Sequence, residues 1–255
     1  MEKRISFLGH SKPLLTVMVQ AKTPDEAICI ITDSIYDGAE AFGIQLENLE
    51  RQYRNVETLR SIFKYCDDKP IYITSYRNSE STGYTDEECE EYLLMGLEAG
   101  ATLCDVMGDM YKQEKYGITY DEAAVKRQCE LIDKIHSLGG EVLMSVHFYE
   151  FFDEDATMKV AHAIEDRGAD VVKIVNGSYT EDQMYCNFGI IHRMKKELHT
   201  NFLFLANGKY SKLIRLIGPQ LGVCTYLCVQ RYRPINSKEQ PQLRATKAVR
   251  DNINY

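Results

Sequence analysis

The chain alternates short apolar runs with longer amphipathic ones, and it does so eight times. That alternation limits the fold more than any other feature, because strand patterns each followed by a helical pattern call for parallel strands joined by crossover helices. The strand patterns fall at residues 14–19, 41–46, 70–76, 102–106, 141–148, 170–175, 201–206 and 223–229, strands one to eight. Helical patterns follow from residue 23, around 56–65, then at 85–99, 120–138, 155–167, 180–198, 210–217 and 243–252. Thr23 suits a helix cap and Pro24 the first turn. An internal echo supports the count: Gly38-Ala39, Gly100-Ala101 and Gly168-Ala169 each end a helix and launch strands two, four and six. Eight units in 255 residues predict one (β/α)8 TIM barrel spanning residues 1–255. A doubly wound open sheet competes, but no Gly-rich dinucleotide loop follows strand one. Residues 4–9, ahead of Lys12-Pro13, are expected to form a short strand or hairpin closing one barrel end.

Charge and composition narrow the function. Lys and Arg total 30 against 38 Asp and Glu, a net charge of -8 with no basic block, which argues against a nucleic-acid surface. No apolar run approaches the ~20 residues that cross a bilayer, and residues 1–7 lack the apolar core of a signal peptide. The eight cysteines form no CxxC pair and read as reduced thiols of a cytoplasmic protein. Cys224 and Cys228, four residues apart, are weak metal candidates beside their reading as core thiols. No metal, nucleotide or redox cofactor is expected. The expected partner is a small molecule, and a homodimer through the outer helices is a candidate assembly.

One residue breaks the apolar logic of strand six. Lys173 sits in Asp170-Val171-Val172-Lys173-Ile174-Val175, among β-branched neighbours that predict a strand covered on both faces. Desolvation lowers a lysine pKa, and a partly neutral lysine attacks carbonyl carbon to form a Schiff base. The competing reading is a strand-end lysine whose ammonium reaches water or pairs with a carboxylate. In a barrel the site lies at the C-terminal ends of the strands. There, Ser145 and His147 share one face of strand five by the two-residue period, and Ser75 and Arg77 share one face of strand three. A histidine suits the proton transfers that imine chemistry needs. Glu47 and Glu50, flanking Asn48, read as a solvated turn.

These segments resemble the type I 3-dehydroquinate dehydratases, over nearly the whole chain. Ser145-Val146-His147 is similar to the family's Ser-aromatic-His strand, and Gly168–Ile174 to its Gly-Ala-Asp-(Ile/Val)-Val-Lys-(Ile/Leu) strand, with His and Lys 26 residues apart. Residues 70–77 resemble the strand ending in Thr-(aliphatic/aromatic)-Arg, and Leu213-Ile214-Arg215 the arginine segment after strand seven. The resemblance implies a carbon–oxygen lyase in which Lys173 forms an imine with the C3 ketone of 3-dehydroquinate. His147 would act as general acid and base, Arg215 would grip the carboxylate and Arg77 would order the substrate side of the pocket. A lid at residues 230–241 would close over the substrate, with Gln242 as the lid glutamine and Gln240 competing.

The chain also departs from the family. The Glu-x-Arg-x-Asp of strand two reads Gly43-Ile44-Gln45-Leu46-Glu47, and the glutamate expected beyond Arg77 falls on Ser81 with Glu80 beside it. Gln45 and Glu80 are carried as substrate-binding candidates at these altered positions. Strand four reads Asp105-Val106-Met107-Gly108, Phe148-Tyr149 replaces Asp-Phe after His147, and Met-x-Met-Gly becomes Leu205-Ala206-Asn207-Gly208. Arg231 and Arg233 are read as surface charges that would otherwise re-supply the site. Two alternatives therefore stay open: a Schiff-base lyase or aldolase on a different hydroxylated keto acid, or a non-catalytic barrel that binds a metabolite.

Overall fold

The structure, a computed structural model, describes residues 4–79 and 82–253. Eight strands, β1 (Leu14–Val19), β2 (Ala41–Gln45), β3 (Ile71–Thr74), β4 (Leu103–Met107), β5 (Glu141–His147), β6 (Val171–Gly177), β7 (Asn201–Asn207) and β8 (Thr225–Cys228), alternate with eight helices. The helices are α1 (Pro24–Tyr36), α2 (Val56–Phe63), α3 (Asp86–Ala99), α4 (Glu122–Ser137), α5 (Glu154–Glu165), α6 (Glu181–Glu197), α7 (Ser211–Leu221) and α8 (Leu243–Asp251). The strands pair in parallel in the order β8-β1-β2-β3-β4-β5-β6-β7. The seam between β7 and β8 is narrowed by the Cys224 N–H donating to Phe202 O at 2.9 Å. This is the expected (β/α)8 barrel, nearly closed.

Local chemistry explains the punctuation. Thr23 accepts from the Glu26 N–H and Pro24 opens α1, while Thr85 and Thr180 each form a reciprocal capping box with the residue three positions on. Gly100 and Gly168 turn the chain at φ 121° and 89°, angles that a side chain disfavours, and launch β4 and β6. Every residue of β6 is buried, as a strand covered by helices outside and by the barrel core inside must be.

The N-terminal segment corrects one expectation. Residues 4–9 form neither strand nor hairpin. They nonetheless cover the barrel's lower end, held by side chains instead of a ladder. The Phe7 N–H donates to Glu141 Oε2 at 2.9 Å, Arg4 reaches the carbonyls of Leu97 and Leu138, and Thr102 Oγ1 donates to Ile5 O. With its polar groups so occupied, the segment buries Phe7, whose ring meets Tyr72 edge-on at 6.3 Å. Of the two cysteines weighed for metal, Cys228 is buried and donates to Thr16 O at 3.3 Å. Among the described residues, no three His, Cys, Asp or Glu side chains gather as a metal site.

Candidate active site

A cavity of about 660 Å³ opens at the C-terminal ends of the strands. Its wall includes Gln45 and Glu47 from the end of β2, Tyr76 from beyond β3, and Ser145 and His147 from β5. Lys173 lies just beneath. It pairs in register with Ser145, while His147 pairs with Val175, so the histidine stands one pleat nearer the mouth.

Lys173 is 4% exposed, and its Nζ donates to three oxygens: Tyr76 OH at 2.7 Å, Asp105 Oδ2 at 2.9 Å and Tyr72 OH at 3.0 Å. Both phenols in turn donate to Asp105 Oδ2, Tyr76 at 2.6 Å. Burial alone would raise the Asp105 pKa, but the Lys173 ammonium and the hydroxyls of Ser145, Tyr72 and Tyr76 outweigh it and hold the carboxyl below its usual range. The phenols move the other way: burial, then the Asp105 charge, lifts both well above 10. The pair with a carboxylate anticipated as the competing reading of Lys173 is therefore real. It lies at the floor of the cavity and not at a wet strand end.

His147 sits above this cluster, its ring 5.4 Å from that of Tyr76 at an interplanar angle of 64°. Its Nε2 is buried without a hydrogen-bond partner. Burial, then the positive charges of Lys173 and Arg215, pushes its pKa down to about 3 against a weaker pull from Asp105. The imidazole is neutral at neutral pH, with the Nε2 position unpaired.

The other expected residues divide. Arg77 lines the cavity, but its guanidinium is committed to Asp86 on α3 and Asp109 beyond β4. The two-residue period was read on the wrong face of β3. Tyr72, Thr74 and Tyr76 point inward to Asp105, Glu47 and Lys173, whereas Arg77 turns to α3. Arg215 is 6% exposed on α7; its Nε donates to Ala206 O at 3.0 Å and its Nη1 has no partner. Burial pushes this arginine's pKa down to about 10, opposed by Glu239. Gln45 donates to Glu47 Oε1 at 2.9 Å and leaves its own Oε1 unpaired. Gln242 lies off the cavity wall, at the N-cap of α8, while Gln240 has a buried, unpartnered Oε1. Glu80 lies outside the described residues. Arg231 and Arg233 pair with Asp33 and Glu26 on α1.

Glu47 overturns its reading as part of a solvated turn. It is 4% exposed, accepts from Thr74 Oγ1 and Gln45 Nε2, and has a pKa raised by burial to about 7. Asp105, Tyr72 and Tyr76 were also missed as site residues. The available signal was the one that marked Lys173: a charged residue inside an apolar strand, here Leu-Cys-Asp-Val-Met. Gly43, in β2, is closely packed. A Cβ there would lie 2.3 Å from Met18 Sδ and 3.0 Å from the Tyr72 ring, so side chains from β1 and β3 occupy the space.

A buried lysine beneath a neutral histidine, at the mouth of a barrel, is the equipment of enzymes that process carbonyl compounds through a lysine imine. The chain belongs to the type I 3-dehydroquinase family, whose model matches residues 15–250. The family consists of hydro-lyases that use a Schiff base. Solved structures share the fold. The 3-dehydroquinate dehydratase of Geobacillus kaustophilus superposes with a TM-score of 0.81 at 13% identity, over 96% of this chain and 92% of that one. The type I enzyme of Clostridium difficile, solved with covalently modified comenic acid, gives 0.80 at 16% identity over 96% and 93%. That of Enterococcus faecalis gives 0.79 at 12% identity over 97% of each chain. No curated protein sequence matches the chain.

Proposed function

We propose that this protein dehydrates 3-dehydroquinate to 3-dehydroshikimate, with Lys173 as the imine-forming residue and His147 as general acid and base. The observation that carries the assignment is the stacking of the two on neighbouring strands, the nucleophile at the cavity floor and a neutral imidazole one pleat above it. Lys173 attacks the C3 ketone, and loss of water gives an iminium. The iminium withdraws electrons from C2, so His147 removes a C2 proton and the electron pair forms the C1–C2 double bond as the C1 hydroxyl leaves. The proton on His147 accompanies that hydroxyl as water, and hydrolysis of the imine frees the enone. Arg215, with an unpaired Nη1 in a buried setting, is assigned the substrate carboxylate. Gln45 and Glu47 face the substrate hydroxyls from β2. Arg77 is assigned an indirect part, fixing the cavity wall through Asp86 and Asp109.

The filled space at Gly43 and the amide at Gln45 favour a second reading, an imine lyase for another hydroxylated cyclic keto acid. On the strength of the family resemblance we also propose a cytoplasmic enzyme of the shikimate pathway that pairs as a homodimer through its outer helices. Incubation with 3-dehydroquinate and borohydride, followed by mass spectrometry, tests the central assignment. A reduced adduct mapped to Lys173, with conjugated enone formed in the absence of borohydride, is the expected result. An adduct formed only with a different keto acid would select the second reading. No adduct with any keto acid, and unchanged binding in Lys173→Ala, would sink both.

A further inference from the structure

We propose that the Tyr76 hydroxyl is a catalytic group in its own right, relaying protons between Lys173 Nζ and the substrate carbonyl oxygen as the imine forms and hydrolyses. The proposal rests on the assignment of Lys173 as the imine lysine. Proton accounting creates the need. An ammonium enters with three protons on nitrogen, and the iminium retains one. The carbonyl oxygen leaves as water with the other two. Two protons must therefore cross from Nζ to that oxygen, one to form the carbinolamine hydroxyl and one to release it.

Three oxygens lie within 3.0 Å of Nζ, those of Tyr72, Tyr76 and Asp105. Tyr72 is 1% exposed and Asp105 0%, and neither reaches the cavity. Tyr76 is the residue of the three that also lines it, so the proposal sets its hydroxyl, already bonded to Nζ, between the nucleophile and a bound carbonyl. His147 lines the cavity too, but among the described residues no hydrogen bond joins it to Lys173.

The bonds at Tyr76 run in the direction that a relay requires. Its oxygen accepts from Nζ at 2.7 Å while its own proton points to Asp105 Oδ2 at 2.6 Å. As Nζ passes a proton to the phenol, the phenol passes its own to Asp105, leaving a neutral amine to attack. The Tyr76 pKa, held high by burial and by Asp105, means that this double hop need not stop at a phenolate. Asp105, whose Oδ2 accepts from both phenols, gives the proton back. It returns through Tyr76 to the alkoxide left by the attack, making the carbinolamine hydroxyl. A second proton, from the nitrogen of the adduct, takes the same path to that hydroxyl as the C–O bond breaks and the nitrogen lone pair closes the iminium.

The test measures how fast saturating borohydride traps 3-dehydroquinate on Lys173 in wild type and in Tyr76→Phe, which keeps the ring beside His147. A relay predicts labelling slowed about 10²-fold, with kcat falling in step and KM nearly unchanged. A proton inventory on wild-type labelling, in mixtures of light and heavy water, keeps the proposal testable if the variant folds poorly; a relay predicts a bowed plot from more than one moving proton. Labelling of Tyr76→Phe at the wild-type rate, or a linear inventory, would overturn the relay and leave the imine assignment standing. Wild-type protein that is never labelled at Lys173 would overturn both.

Discussion

At the scale of single residues, Glu47 and His147 respond to folding in opposite senses. Glu47 rises from 4.5 to about 7, so its contribution to stability is complete below pH 4.5 and is lost as pH rises towards 7. His147 falls from 6.5 to about 3, so below pH 6.5 the unfolded chain takes up a proton that the folded one refuses, and stability drops as pH falls towards 3. Between pH 4.5 and 6.5 the two oppose each other. Removing one side of that balance, as in Glu47→Gln, should make acid destabilisation steeper across this window, measurable by urea unfolding at stepped pH. The same substitution should remove an ionisation near pH 7 from the kcat/KM profile, because free His147 titrates far below it. At Asp105 the consequence is for the buried ion pair. Asp105→Asn strands the Lys173 charge and should cost about 3 kcal/mol in urea unfolding, whereas the double change with Lys173→Met should recover part of that loss.

The elements act through close approach at the top of the barrel. The loop beyond β4 walls the cavity, and it crosses itself where Gly108 meets Gly117. A Cβ on Gly108 would stand 2.7 Å from Val146 Cγ2 and 2.8 Å from the Gly117 carbonyl oxygen. A backbone oxygen cannot swing aside as a side chain can, so Gly108→Ala should cost about 1–3 kcal/mol and lower the Tm by several degrees. It should also slow adduct formation at Lys173, because the displaced loop carries Asp109, one of the two carboxylates that hold Arg77. Helix α3 takes the other side of the same clamp through Asp86, so one arginine ties β3, α3 and the β4 loop together.

At the scale of the whole molecule, the barrel is plugged from below and worked from above. Phe7 enters from outside the strand–helix repeat and packs on Tyr72, the same side chain that supports Lys173 at the cavity floor. Phe7→Ala should therefore cost about 3 kcal/mol. Its second effect should be functional: slower borohydride trapping at Lys173, since Tyr72 loses the ring that holds it from beneath.

How much of this was legible follows from the range of the forces involved. The eight strand–helix units, the helix-ending glycines, Lys173 and the Ser145–His147 strand were readable because each rests on a local pattern: period, cap chemistry, or one charge in an apolar run. The N-terminal segment was misread because its hydrogen bonds go to Glu141, Leu97 and Thr102, all far along the chain. The inward face of β3 was misread because the two-residue period fixes which residues share a face but not which face the barrel buries. Glu47 looked like turn chemistry until Thr74 and the fold buried it. By itself, the sequence determined the barrel and its lysine–histidine pair. Only the tertiary structure decided what Lys173 touches, because Asp105, Tyr72 and Tyr76 reach it from 68, 101 and 97 residues away, across the barrel.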